Sequence, residues 1–523
     1  MPNIISKLKH RGGDDVPVCG HGAVPKNNYR YRQQRGVNLG SWFVLERWIT
    51  DEPFRCAKDP AQSDLDIALG KEAKEILEHH WDTWIQESDW EWIENRGINT
   101  VRIPIGYYHI CGADPAVLHR TDFQPFYDIF AGAWARITQA IEVAASYNIG
   151  VLLDLHAAPG KQNDDSHSGT YGKANLFNDR HNQSHTIHVL RCLLTQVHKF
   201  CKSHDPPLVN VVGIELLNEP SPPSDKVLQT WYKSAISDLH AIDPDMPLYM
   251  GECWRTEAYA DFLSRHHEHS KNWPLTVLDH HLYRCFTYSD IVTSAEEHTK
   301  ALTDLTASTP QMLASVAEKI GRAGGGIVIG EWSGALNPGS LSGKPNEQKE
   351  FINAQLQLFE KYCAGWFFWT YKKQHQGDTG WSFRDAVEAG VFPNFVGIKR
   401  RDVEVIDLNS LLEAREEARW DAWVCYVQYW AQIPGKYDHA RFTYGFRAGW
   451  DDGYAFLLST PPGSMTANEI GFKGAWARGC TSDHGRSYWE FETGFIQALE
   501  AVRRDYESRN WEKHVAEGFG RAY

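Results

Sequence analysis

The sequence predicts a (β/α)₈ barrel carrying a helical C-terminal extension packed on it. Three observations lead there. Between residues 35 and 372 a short apolar segment recurs eight times. Most copies are followed by a loop and then by a stretch with helical periodicity. The segments are near-continuous in apolar residues and mostly rich in Val and Ile, as strands of a parallel sheet covered by helices require.

In chain order the strand candidates are RGVNLG (35–40), TVRIPIG (100–106), IGVLLDLH (149–156), VVGIELLN (211–218), PLYMG (247–251), LTVLDHHLY (275–283), GIVIGEW (326–332) and GWFFWTY (365–371). Helical stretches lie between them. GKEAKEILEHHWDTWIQ precedes the second strand, and VLQTWYKSAISDLHAI follows the fourth. In FAGAWARITQAIEVAASY the residues Trp134, Ile137, Ile141 and Ala145 repeat at the spacing of one helix face. An open doubly wound sheet is the rival topology. It would usually show a Gly-rich phosphate loop after an early strand, and RGVNLGSW is not one. P-loop, G-x-S-x-G and H-E-x-x-H motifs do not occur.

Beyond residue 372 three helices are expected, over 408–433, 439–458 and 488–507. Gly445, Gly449 and Gly453 recur every four residues in the second, so a neighbouring backbone can approach closely. That stripe fits packing within the chain better than a dimer contact. The division expected is an N-terminal arm (1–30), a barrel (31–386) and a helical region (387–523) packed on the barrel and completing it.

The 523 residues carry a net charge of −14 with both signs interspersed, which argues against nucleic acid or anionic membrane as a main partner. No apolar stretch approaches the roughly 20 residues of a membrane span. The N-terminus, MPNIISKLKHRGGDD, lacks the apolar core of a secretory signal, so a cytoplasmic protein is expected. The ten cysteines contain no Cys-x-x-Cys pair and read as reduced, several of them inside predicted elements as small buried thiols are. Aromatic residues reach 13%, with 21 Trp, a supply of sugar platforms as well as of core.

Barrel logic directs attention to the C-terminal strand ends. Asn218 and Glu219 end the fourth strand, and Glu331 ends the seventh. Two carboxyl groups facing each other across a barrel mouth can divide acid and nucleophile roles on a glycosidic bond. Spacing alone does not select them, because Asp154, Glu252 and Asp279 also sit near strand ends. His156, His280 and His281 gather there too, which keeps a metal-dependent hydrolase in view. Such sites commonly open with H-x-H on the first strand, where this chain has Gly-Val-Asn-Leu.

At this point RGVNLGSWFVLERWI, VRIPIG, LLDLHAAPGKQN, GIELLNEP, LDHHLY, GEWSGAL and GWFFWTYK form an ordered set. Over about residues 30 to 385 the chain resembles glycoside hydrolase family 5, within the clan of retaining (β/α)₈ glycosidases, and looks most like the fungal exo-β-1,3-glucanase branch. The resemblance implies Glu219 as general acid/base and Glu331 as nucleophile. It implies that Asn218 binds the sugar 2-hydroxyl, Arg102 braces Glu331, Tyr283 donates to the nucleophile and His281 lies near the acid/base. His156 and Glu46 would bind hydroxyls of the terminal sugar over a Trp369 floor, and Phe286 and Trp381 would line the leaving-group side. A β-glucoside or β-glucan oligosaccharide is the implied substrate, with no metal and no organic cofactor.

Three departures from the secreted members of that branch stand out. A signal peptide is missing, a C-terminal region is added, and the loop after the third strand reads QNDDSHSG where those enzymes place an aromatic. Asp164, Asp165 and His167 make that rim more polar. Linkage and aglycone therefore stay open, as does the oligomeric state. An exo-acting β-glucosidase or β-1,3-glucanase, a glycolipid β-glucosidase and a non-catalytic sugar-binding protein are the readings carried forward.

Overall fold

The computed structural model describes residues 28–269, 274–401 and 407–509. Most of the expected N-terminal arm, including Cys19, lies outside them. Two compact units are present, one spanning Gln34–Val396 and the other joining the chain up to Gln33 with the chain from Gly397.

The first unit is a closed barrel of eight parallel strands in sequential order. They are β1 (Gln34–Asn38), β2 (Thr100–Gly106), β3 (Gly150–Ala157), β4 (Val211–Glu215), β5 (Leu248–Gly251), β6 (Thr276–Leu282), β7 (Gly326–Trp332) and β8 (Gly365–Phe368). β1 pairs with both β2 and β8, so the cylinder closes on its own strands. Every strand residue is buried except Leu282, which explains why the strands read as apolar runs without alternation. The lumen is packed, not open. Gln34 on β1 bonds the Tyr249 hydroxyl on β5, the strand opposite, at 2.7 Å. Large rings need small neighbours here: a Cβ on Gly213 would lie 2.3 Å from the Tyr249 ring, and one on Gly36 2.2 Å from Phe367.

Helices lie between the strands, as the periodicity predicts, with shifted details. The helix Ala133–Ser146 buries Ala133, Ile137, Ala140, Ile141 and Ala144, while Trp134 and Ala145 are only half-buried. Its buried stripe is therefore wider and rotated from the expected line. The stretch before β2 is two helices, Ala73–Thr83 and Glu87–Glu94, the second opened by Asp89, whose Oδ2 accepts Gln86 N–H at 2.9 Å. The unit extends to Val396: Phe392 packs on Trp332, Trp366, Phe368 and Phe383, and Val396 N–H donates to Arg96 O.

The second unit holds helices Leu408–Trp430, His439–Leu458, Lys473–Gly479 and Tyr488–Ser508. Phe442, Phe446, Trp450, Tyr454, Ala498 and Val502 share its core. Buried Glu490 ties three segments by accepting from Asp438 N–H and Tyr426 Oη and pairing with His439. The glycine stripe faces the helix Tyr488–Ser508: a Cβ on Gly445 would sit 1.9 Å from Phe491 O, and one on Gly449 2.4 Å from Phe495 O. Gly445→Ala should accordingly cost about 1–3 kcal/mol, because the backbone opposite cannot move aside as a side chain can. At Gly453 the nearest atom is the flexible Leu499 Cδ2 at 3.0 Å, so Gly453→Ala should cost less. Thermal unfolding of the full chain would check this, and equal midpoints for the two variants would contradict the contact.

Candidate active site

The C-terminal strand ends open into a cavity of about 800 Å³, in the range of small-molecule sites. Glu46, His156, Asn218, Glu219, His281, Tyr283, Phe286, Glu331, Trp369 and Trp381 line it together. Of the residues the family resemblance implies, only Arg102 is absent from the wall, because it lies fully buried beneath.

Arg102 organises the floor. From β2 it reaches Glu331 Oε1 on β7 at 3.0 Å, Glu215 Oε2 on β4 at 2.7 Å and Asp154 Oδ2 on β3 at 3.1 Å. It also donates to Asn38 Oδ1 and to Asn218 Oδ1, each at 2.9 Å. Burial disfavours its charge, but the carboxylates of Asp154, Glu215 and Glu331 outweigh that and hold it firmly cationic. The Asn218 carbonyl is thereby spoken for, which leaves its amide as a donor, 3.5 Å from His156 Nε2. His156 is fixed in turn by Asp154 at 2.6 Å, and its ring stacks parallel to Trp369 at 5.7 Å and 6°.

Backbone irregularity sets the two carboxylates. The β6–β7 register shifts between His280 and His281, so that His281 pairs with Glu331. Asp279 fills the space where Gly330 has no side chain, since a Cβ there would lie 2.0 Å from Asp279 Oδ1. Past β4 the chain stays paired through Asn218 N–H to Leu155 O, and Glu219 then takes φ +41°, a left-handed value uncommon outside glycine. Asn163 Nδ2 holds the Glu219 carbonyl at 3.0 Å.

Glu219, His281 and Glu331 each bring one donor or acceptor atom within 4.8 Å of the others. His281 Nδ1 lies 2.8 Å from Glu219 Oε1 and 3.4 Å from Glu331 Oε2. Tyr283 Oη donates to Glu331 Oε2 at 2.8 Å. Burial works against a charged His281, but Glu331, Asp279 and Glu219 raise it well above the usual imidazole range. Burial raises Glu219, yet the hydrogen bond and charge of His281, with His167 and Arg102, leave it below the carboxylate norm. Glu331 is raised by burial, with His281 and Arg102 opposing and the charge of Glu219 adding. His281 Nδ1 lies one hydrogen bond from Glu219 Oε1, and of the three groups it is the imidazole whose surroundings most favour holding a proton.

The other strand-end groups are engaged elsewhere. Glu252 accepts from Arg255 N–H and Thr256 Oγ1 and pairs with His280 Nδ1, a structural role in the β5 loop. Glu215, Asp279 and His281 also have donor atoms within 4.8 Å, as a cation site would, but the Arg102 guanidinium already pairs with Glu215 there at 2.7 Å.

Several lining residues were not singled out from the sequence. Trp48 Nε1 donates to Glu46 Oε2 at 2.7 Å, and its ring meets Trp381 edge-on at 5.3 Å. Trp254, 59% exposed, donates to His281 O. Glu46 is raised to about 7 by loss of hydration, with His167 and Trp48 opposing. Phe286 and Trp381 flank Tyr283 at 5.4 Å each.

His167 stands 3.8 Å from Glu219 Oε2 and from Asp165 Oδ2. Burial lowers it, but Asp165, Glu46 and Glu219 outweigh burial and raise it to about 9. The folded state therefore binds more protons than the unfolded one between about 6.5 and 9. Its stabilising contribution is complete below the unfolded value and lost as pH rises through the folded one. The stability gap between wild type and His167→Gln should accordingly shrink from pH 6.5 to 9.5, as denaturant unfolding at a series of pH values would measure; a constant gap would contradict it.

A family model described as cellulase (glycosyl hydrolase family 5) matches residues 69–375, more than half of the chain. The chain belongs to glycosyl hydrolase family 5. The family 5 hydrolase carries a second match over residues 412–505, to a model described as the glucan 1,3-beta-glucosidase 3 C-terminal domain. It is 31% identical to glucan 1,3-beta-glucosidase 3 of Schizosaccharomyces pombe, over 91% of this chain and 96% of that one. It is 30% identical to the probable glucan 1,3-beta-glucosidase A of Aspergillus fumigatus, over 69% of this chain and 87% of that one. The crystal structure of rutinosidase from Aspergillus niger shares the fold, with a TM-score of 0.55, 19% identity and coverage of 70% of this chain and 99% of that one. Among the described residues no helix is long and apolar enough to cross a membrane.

Proposed function

We propose that this hydrolase is a retaining, exo-acting β-glucosidase of the glucan 1,3-β-glucosidase type, releasing glucose from the non-reducing end by double displacement. The observation that carries the reading is the meeting of Glu219, His281 and Glu331 within 4.8 Å at the cavity wall. Carboxyl groups about 5–5.5 Å apart suit a covalent glycosyl-enzyme, whereas inversion needs room for a water between them.

In this mechanism the proton of His281 passes to Glu219 as substrate enters. Glu331, held as a carboxylate by Arg102 and Tyr283, attacks C1 while Glu219 protonates the leaving oxygen. Water then attacks the glycosyl-enzyme as Glu219 takes its proton, restoring both groups. Asn218 donates to the 2-hydroxyl, where the contact strengthens as positive charge develops at C1. Trp369, His156 and Glu46 hold the terminal sugar. The similarity to the Schizosaccharomyces pombe glucan 1,3-beta-glucosidase 3 supports the substrate class.

A second reading rests on the cavity rim. Phe286, Tyr288, Ile291 and Val292 are 68%, 81%, 48% and 62% exposed, a large apolar group beside the leaving-group side. It favours a glycolipid aglycone. A product-resolved screen separates the readings: laminaribiose, a β-1,6-linked disaccharide, a steryl glucoside and glucosylceramide, each with the first-formed anomer followed by NMR. Release of β-glucose from laminaribiose is the expected result. Turnover of the lipids alone would replace the glucan reading with the second. α-Glucose as first product would overturn the mechanism, and sugar binding without turnover of an activated aryl β-glucoside would make this a binding protein.

A further inference from the structure

Three chemically suited donors meet on the outside of the barrel unit, on residues that line no part of the catalytic cavity. Helix Arg180–Lys202 follows the loop that carries Gln162, Asn163 and His167. His188 and Cys192 stand four residues apart on it, one above the other. Asp114 comes from a different element. Its Oδ1 caps the turn Pro115–Leu118 by accepting Ala116 N–H at 3.0 Å, and its Oδ2 faces the helix. Cys192 Sγ lies 3.2 Å from Asp114 Oδ2 and 3.5 Å from His188 Nε2, and all three donor atoms fall within 4.8 Å of one another.

We propose that Asp114, His188 and Cys192 form a binding site for a borderline-soft divalent cation of the zinc type, pinning the 110–118 segment to the helix Arg180–Lys202.

The distances carry the argument. A tetrahedral zinc with a Zn–S bond of about 2.3 Å and Zn–N or Zn–O bonds of about 2.0–2.1 Å sets its sulfur–nitrogen and sulfur–oxygen edges at about 3.5 Å. The structure gives 3.5 and 3.2 Å. The sulfur, nitrogen and oxygen set suits zinc or cobalt and does not suit magnesium or calcium, which take oxygen. Charge also balances. Binding converts the Cys192 thiol to a thiolate and releases one proton to solvent; with the Asp114 carboxylate and a neutral His188, the site and cation sum to zero. That suits a cysteine that is buried and an aspartate that is half-buried. The imidazole is oriented in advance: His185 stacks on His188 at 5.6 Å and is itself fixed by Val117 O at 2.8 Å. Three protein ligands leave the fourth position to water.

The cation needs no part in the chemistry, so the test reads binding. The full chain, stripped of metal, is titrated with Co²⁺ and, in parallel, with Zn²⁺. One equivalent of Co²⁺ should give a thiolate-to-cobalt charge-transfer band, and Zn²⁺ should displace it and raise the unfolding temperature. Cys192→Ser should abolish the band, and His188→Ala should weaken binding at least tenfold, while Cys425→Ser leaves both unchanged. Absence of the band in the wild type, or its survival in Cys192→Ser, would overturn the proposal. So would cobalt that binds without a thiolate band and inhibits turnover, since that places it on Glu219, His281 and Glu331.

Discussion

Glu331→Gln should lower kcat on an aryl β-glucoside by a factor on the order of 10⁴ or more, with no burst of aryl alcohol. The substitution keeps the shape and leaves an oxygen for Arg102 Nη1 at 3.0 Å or for Tyr283 Oη at 2.8 Å. In the proposed mechanism it removes the anion that attacks C1. Good leaving groups should not help, because the step that fails is bond formation at carbon. Stability should change little by comparison: Arg102 keeps its contacts to Glu215 at 2.7 Å and to Asp154 at 3.1 Å, so its charge is not stranded. Retained turnover within tenfold of wild type would reject Glu331 as the nucleophile. Because burial raises Glu331 above the ordinary carboxylate range, the acid limb of the wild-type kcat/KM profile should also lie above that of a free carboxylic acid.

The barrel and its mouth were readable because each depends on local pattern. Strands buried on both faces leave unbroken apolar runs, and all eight expected segments hold a strand. Glu219 and Glu331 were accessible to the same logic, since a carboxylate ending such a run has only the mouth to face. What singles them out from Asp154, Glu252 and Asp279 was not local. Glu252 is diverted by Arg255, Thr256 and His280, and Asp154 is consumed by Arg102 and His156; those contacts depend on loops and on neighbouring strands. The pairing of His281 with Glu331 needs a register shift that no residue pattern announces. Trp48 and Trp254 escaped because exposed tryptophans on loops carry no periodicity, although Trp48 stands only two residues from Glu46. The 133–146 helix shows the limit on the fold side: its period was legible, but its contact stripe was set by the sheet behind it.

Glu219→Gln should behave differently from the Glu331 variant, and the difference tests the division of labour. Removing the proposed proton donor should cost roughly 10²–10⁴ on a poor leaving group and much less on dinitrophenyl β-glucoside, which departs without a proton. The glycosyl-enzyme should then accumulate, because no base activates the second-step water, and a burst should appear. Azide needs no general base. Added to Glu219→Ala, it should attack the glycosyl-enzyme from the face the leaving group vacated and yield β-glucosyl azide. Added to Glu331→Ala, it should enter from the face of the missing nucleophile and yield the α-anomer. Opposite products from two variants only a few ångströms apart would fix which carboxylate lies on which side of C1. Exchanged products would reverse both roles, and with them the proton path proposed between His281 Nδ1 and Glu219 Oε1, which lie 2.8 Å apart.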